Sequence, residues 1–77
     1  MASLVEAIAR ALVSKPDEVR VIEEVDGKDI VIKLSVADDD IGKIIGKSGR
    51  VAKALRTVVK AAAIKQNVRV TVEIVED

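Results

Sequence analysis

The residues best suited to chemistry form a short glycine loop with cationic side chains beside it. Gly46 and Gly49 enclose Lys47 and Ser48, and Arg50 follows directly. Gly46 can adopt a positive φ and end a helix without a steric penalty from Cβ. Gly49 lets a ligand backbone come close to the first turn of the next helix, whose free N–H groups favour a phosphate. The spacing therefore predicts contact with phosphate.

Two other interpretations of this loop have to be weighed. A connector between two helices would need glycine for geometry alone, and a lone Gly-x-x-Gly pattern does not exclude it. A nucleotide-phosphate loop needs four residues between its glycines, whereas three separate Gly42 from Gly46. The chain is also too short for a doubly wound nucleotide-binding domain, so the nucleotide interpretation is disfavoured and the connector stays open.

Charge is distributed very unevenly along the 77 residues, although 13 basic and 13 acidic residues give a net charge of zero. Residues 41–66 contain no acidic side chain and carry +7, which leaves −7 on the rest of the chain. The seven cations are Lys43, Lys47, Arg50, Lys53, Arg56, Lys60 and Lys65. A bare charge run is usually a solvated helix face, but a cationic segment around a glycine loop suits a polyanion.

The composition excludes several function classes. Cysteine and histidine are absent, which excludes disulfides, zinc sites built from these residues and Ser-His-Asp catalysis. We therefore expect no enzyme activity, no cofactor and no metal site. The triplet Asp38-Asp39-Asp40 is interpreted as a solvated turn with Asp40 as a helix N-cap, because consecutive carboxylates do not converge on one ion. Phe, Tyr and Trp are absent too, so bases cannot stack on aromatic side chains.

Hydrophobic periodicity and turn residues divide the chain into six elements. A first helix starts with a capping box of Ser3 and Glu6 and stops before Pro16. The Asp26-Gly27 pair predicts a hairpin between the first two strands. The predicted elements are a helix over 3–14, strands over 18–25 and 29–37, a short helix over 41–45, the glycine loop over 46–49, a helix over 50–66 and a strand over 68–75. No run approaches the length that a membrane span needs.

The long helix carries two neighbouring apolar stripes. The stripe predicted to face the core consists of Val51, Leu55, Val58 and Ala62. A second edge has no partner within the chain and is a candidate contact in a homodimer, which would raise the avidity of a weak binder. This candidate dimer edge consists of Ala52, Val59, Ala63 and the isolated Ile64.

The stretch 41–56 resembles the central signature of KH domains, and the order of elements matches their type II form. The Lys15-Pro16-Asp17 break and the run 56–63 are similar to the small stand-alone bacterial KH proteins of the KhpA (YlqC) family. The resemblance covers nearly the whole chain. It implies an α+β fold, namely a single type II KH domain over 1–77 in the order α-β-β-α-α-β. Its three-stranded sheet would be covered on one face by helices.

The resemblance also implies a function. KH domains clamp about four nucleotides of single-stranded nucleic acid with their Gly-x-x-Gly loop. Carried over by position, the RNA-binding residues would be Lys43, Gly46, Lys47, Ser48, Gly49, Arg50 and Lys53. One of Ile44 and Ile45 would face the core and the other a groove for bases. The second strand, 30–36, would form the opposite wall of that groove.

Further expectations follow from the same family. The chain would act as an RNA chaperone or post-transcriptional regulator in the bacterial cytoplasm, without a membrane partner. It would form a homodimer and pair with a second, larger KH protein of the Jag/KhpB kind. The alternative is a KH fold that serves as a protein-interaction module and has no role in RNA binding.

Overall fold

The computed structural model describes residues 1–75, which fold into three α-helices and one three-stranded sheet. The elements are α1 (Ala2–Leu12), β1 (Arg20–Asp26), β2 (Asp29–Ser35), α2 (Ile41–Ile45), α3 (Arg50–Lys65) and β3 (Arg69–Val75). This α+β arrangement confirms the predicted fold class. Within this part of the chain, none of the helices has both the length and the apolar character needed to cross a membrane.

The sheet has the strand order β1-β2-β3. β1 and β2 form an antiparallel hairpin whose turn contains Gly27 at φ 62°. β2 and β3 pair in parallel, with Ile32 opposite Val72. β2 is therefore paired on both sides, and its inward-facing Ile32 and Leu34 are fully buried. β3, in contrast, is an edge strand that packs beside α3. The predicted role of the second strand as the wall of a base groove concerns a face of β2 and not its edges, and it stays a prediction.

The helices cover one face of the sheet and build the core with it. Val5 of α1, Ile44 of α2 and Leu55 of α3 are buried together with Ile32 and Val72 of the sheet. Burial of each such aliphatic side chain contributes about 1.5–3 kcal/mol. This single apolar layer fixes how the three helices stand relative to one another, and thereby fixes the loop between α2 and α3.

The rotation of α3 about its axis differs from the prediction. Its buried side chains are Ala52, Leu55, Val59 and Ala63, whereas Val58 is 47% exposed. Three members of the candidate dimer edge, namely Ala52, Val59 and Ala63, thus lie in the core, and the prediction is wrong for them. Ile64 remains at the surface and is 69% exposed.

The carboxylate of Asp40 is completely buried rather than solvated. It accepts hydrogen bonds from the backbone N–H of Ser14 at 3.0 Å, from Ser14 Oγ at 2.8 Å and from the backbone N–H of Lys15 at 3.1 Å. It occupies the N-cap position of α2 but makes no capping bond there within the described chain. Asp40 therefore ties the end of α1 to the start of α2, and the prediction of a solvated turn is wrong for this residue.

Both ends of α1 differ from the prediction. The predicted capping box of Ser3 and Glu6 is absent from the described structure, in which the helix already begins at Ala2. The helix ends at Leu12 instead of continuing to residue 14. The backbone N–H and the hydroxyl of Ser14 both donate to Asp40, which explains why the helix does not extend over that residue.

The same network lowers the pKa of Asp40, chiefly through the Ser14 backbone N–H, while burial opposes the shift only in part. A depressed pKa means that this carboxylate stabilises the fold above its unfolded pKa of about 3.9 and loses that effect as the pH falls through the lower folded value. We expect Asp40→Asn to lower the thermal unfolding midpoint at pH 7. The variant should also lose part of the acid sensitivity of the parent below about pH 4.

Circular dichroism melts at pH 7 and between pH 2 and 4 test this expectation. The matched control is Asp39→Asn, because the Asp39 side chain is 78% exposed and, within residues 1–75, bonds only the Lys15 side chain, at 3.0 Å. Exposed pairs of this kind contribute little. Equal midpoints for the two variants at pH 7 would contradict the role assigned to Asp40.

Candidate nucleic-acid interface

The loop between α2 and α3 has an unusual backbone. Gly46 has φ 70° and ψ −178°, Ser48 has φ 58° and Gly49 has φ 74°. Sequence reasoning anticipated the positive φ at Gly46 but not the left-handed conformation of Ser48, which costs roughly 1–2 kcal/mol for a residue with a Cβ. The chain thus reverses within four residues and leaves Ser48 exposed between the two helices.

The two glycines of the loop have different purposes. A Cβ at Gly46 would lie 2.5 Å from Cγ2 of Val51 and 3.0 Å from the Val51 backbone nitrogen. A Cβ at Gly49 would meet no described atom within 4 Å. Gly46 therefore allows the start of α3 to pack against the end of α2, whereas the space beside Gly49 is open.

The structure separates the two isoleucines that precede the loop. Ile44 is fully buried in the core, whereas Ile45 is partly exposed. Ile44 is therefore the member of the pair that faces the core, and Ile45 is the one that remains available to a ligand. Spacing could not decide between them, because a helix of five residues is too short to define a stripe.

The predicted cations do not form one cluster. Lys43 is half exposed, with Nζ 3.6 Å from Oδ1 of Asp40. Arg50 lies on the side of α3 that faces α1, where it borders an apolar groove together with Leu12 and Val58. Lys53 is exposed on α3. The backbone of Lys47 belongs to the described loop, but its side chain lies outside the described structure. Positive charge therefore surrounds the loop on more than one side.

Arg56 is the residue whose position the sequence did not predict. Its Nε donates to the backbone oxygen of Val72 on β3 at 3.3 Å. Together with Lys60, which borders a cavity with Thr71, this contact places part of the cationic face of α3 beside β3, and Lys53 lies on the same face of the helix. We call this surface, formed by these three cations and the edge of β3, the α3–β3 seam. Finding it from sequence would have required knowing that β3 is an edge strand.

Few acidic groups compete for these cations. Ion pairs within residues 1–75 involve Lys43 but none of the three cations of the α3–β3 seam. Helix α3 runs for 16 residues from the loop, so the partial positive charge at its start adds to the same field. Over the same residues, no group of three or more acidic side chains could hold a metal ion. The site is therefore electrostatically suited to an anionic polymer.

Comparison with known proteins agrees with this geometry. The family model described as the KH domain of KhpA/KhpB matches residues 2–74. A relative from Clostridium acetobutylicum, named RNA-binding protein KhpA, is 56% identical over 75 residues, which are 97% of this chain and 100% of the relative. A relative of the same name from Halalkalibacterium halodurans is 59% identical over 76 residues, or 99% of this chain and 100% of the relative.

Two solved structures share the fold. A substituted Aquifex aeolicus Era bound to GDP.AlF4- superposes with a TM-score of 0.64 at 21% identity, over 95% of this chain and 28% of that chain. Era in complex with MgGDPNP and nucleotides 1506–1542 of 16S ribosomal RNA gives the same TM-score of 0.64 and 21% identity, again over 95% of this chain and 28% of that chain. This chain thus corresponds to roughly a quarter of those proteins, and at this identity the likeness concerns the fold alone.

Proposed function

Because the chain belongs to the KhpA/KhpB family of KH domains, we propose that it binds single-stranded RNA with the loop from Gly46 to Gly49 against the phosphate backbone. The observation that carries this proposal is the open outer side of Gly49 at the start of α3. Relatives that match over their whole length bear the name RNA-binding protein, which supports RNA as the polymer.

The proposed contacts follow from the geometry of the loop. A phosphate at Gly49 meets the free N–H groups of the first turn of α3. Lys43, Lys47, Arg50 and Lys53 add charge, which gives affinity rather than sequence preference. Ile45 offers an aliphatic surface to a base. Since the chain has no aromatic side chain, one domain binds without the stacking that strengthens other RNA-binding modules.

Weak binding by one domain motivates the proposed partners. We propose a homodimer, which would place two loops on one strand and raise avidity. The exposed apolar side chains of Leu12 and Val58, 40% and 47% exposed, lie in the groove between α1 and α3 and are the candidate contact. The same proposal includes pairing with a second KH protein of the Jag/KhpB kind. It also includes a role as an RNA chaperone or post-transcriptional regulator in the bacterial cytoplasm.

An NMR titration tests the proposal. A single-stranded RNA hexamer added to ¹⁵N-labelled protein should shift the amides of residues 43–53, whereas a duplex of equal length should not. If four cations engage phosphate, the logarithm of Kd should rise with the logarithm of salt concentration with a slope of about 3, at roughly 0.7 per contact. Unchanged amides in this region at low salt would favour a protein-interaction module instead.

A further inference from the structure

Ile64 is an exposed aliphatic side chain that neither the core nor the loop explains. It lies in the last turn of α3 and is 69% exposed. It borders two adjacent cavities, of about 380 Å³ beside Lys28 and Asn67 and of about 390 Å³ beside Lys60 and Thr71. Val68 and Arg69 border both cavities as well. An aliphatic side chain between two concave surfaces is suited to hold a flat apolar group.

The α3–β3 seam connects this surface to the glycine loop. Arg56 contacts β3 at Val72, and Lys60, one helical turn further on, borders a cavity with Thr71. Helix α3 and strand β3 run in opposite directions, so the end of α3 meets the start of β3. The rise of a helix places Ile64 about 16 Å beyond Lys53. At about 3.4 Å per stacked nucleotide, this distance corresponds to a few nucleotides.

The charge around Ile64 is also suited to a nucleic acid. Lys28, Lys60 and Arg69 surround the two cavities, and none of the residues that border them is acidic. Asp29 pairs with Arg69, with Oδ1 2.9 Å from Nε, and within residues 1–75 no ion pair involves Lys28 or Lys60. Because Asp29 offsets only one of the three cations, the surface retains a net positive charge.

We propose that the α3–β3 seam leads an RNA strand from the loop to a distal subsite, where Ile64 contacts an unstacked base and Lys28 and Lys60 contact the neighbouring phosphates. This inference rests on the proposed RNA binding. With this subsite, one domain binds more nucleotides of RNA than the loop alone. In a chain without aromatic residues, an exposed isoleucine is the available apolar surface for a base at this end of α3.

Fluorescence anisotropy with uridine oligomers of increasing length tests the distal subsite. An octanucleotide should bind about tenfold tighter than a tetranucleotide, beyond the gain expected from its larger number of binding registers. The double variant Lys60→Ala and Ile64→Ser should lose this length-dependent gain and keep the affinity for the tetranucleotide. Both side chains are exposed, so circular dichroism should show an unchanged fold.

The matched control is the double variant Lys65→Ala and Ile22→Ser, which removes one cation from α3 and one exposed aliphatic side chain from β1, both outside the two cavities and outside the candidate dimer contact. It should retain the gain. If the variant with Lys60→Ala and Ile64→Ser keeps the full gain in affinity for the octanucleotide, the distal subsite is refuted while RNA binding stands. The same conclusion follows if that variant changes only the sedimentation coefficient. If the parent binds neither oligomer at low salt, the proposed function itself fails.

Discussion

Replacing Lys47 and Ser48 together by Asp should weaken RNA binding strongly and leave the fold intact. The change removes a cation from the loop and places two carboxylates where the phosphate backbone would lie. Loss of one charge-assisted contact alone costs about 1.5–3 kcal/mol, so with the added repulsion Kd should rise by about 30- to 1,000-fold. Asp also tolerates the left-handed backbone at position 48 better than most residues. Anisotropy with a single-stranded RNA measures the effect.

The control for this variant makes the same change in net charge elsewhere. Ser3→Asp together with Arg10→Asp alters exposed residues of α1. In the part of the chain that the structure describes, Arg10 pairs only with Glu6, at 3.0 Å. Surface pairs of this kind contribute little stability, and this variant should bind RNA with an affinity close to that of the parent. If both variants lose affinity equally, the loop has no special role and binding is a property of the net charge.

Replacing Gly46 by Ala should cause the largest loss of stability among single changes in the loop. The new Cβ would lie 2.9 Å from Cβ and 2.5 Å from Cγ2 of Val51, and the φ and ψ of Gly46 belong to a region that is essentially restricted to glycine. Backbone strain of about 1–3 kcal/mol adds to overpacking of a similar size. For a small domain of marginal stability, this loss should leave a substantial unfolded fraction. Urea denaturation followed by circular dichroism measures it.

Gly49→Ala provides the comparison within the same loop. Gly49 also has a positive φ, of 74°, but a Cβ there would meet no described atom within 4 Å. Its cost should therefore be limited to about 1–2 kcal/mol of backbone strain. An equal or smaller midpoint shift for Gly46→Ala would contradict the close packing of Gly46 against Val51. The free energy of unfolding thus separates the two glycines, although the sequence pattern treats them alike.

Sequence patterns predicted the helices, strands and turns, which depend on residues that are neighbours in the chain. The Asp26-Gly27 turn, the break at Pro16 and the alternation in the strands identify the elements because each depends on neighbouring residues. The rotation of α3 depends on how closely the helix approaches the sheet. Two apolar stripes fitted the sequence, and the folded chain buries Ala52, Leu55, Val59 and Ala63.

Long-range polar contacts were beyond sequence reasoning for a similar reason. Asp40 looks like an ordinary cap, and its partners Ser14 and Lys15 lie 26 and 25 positions away in the sequence. The position of Arg56 follows only once β3 is known to be the free edge beside α3. Both residues bond backbone groups, and the amino-acid sequence does not indicate which backbone groups become the partners of a distant side chain.

The parallel pairing of β2 with β3 has a consequence for biosynthesis. Parallel neighbours require a long crossover, and here that crossover contains both helices that flank the glycine loop. Such pairing between distant segments forms slowly compared with local contacts. A chain still emerging from the ribosome has its first helix and hairpin before β3 is made, so the proposed RNA-binding surface is incomplete until the last strand has docked.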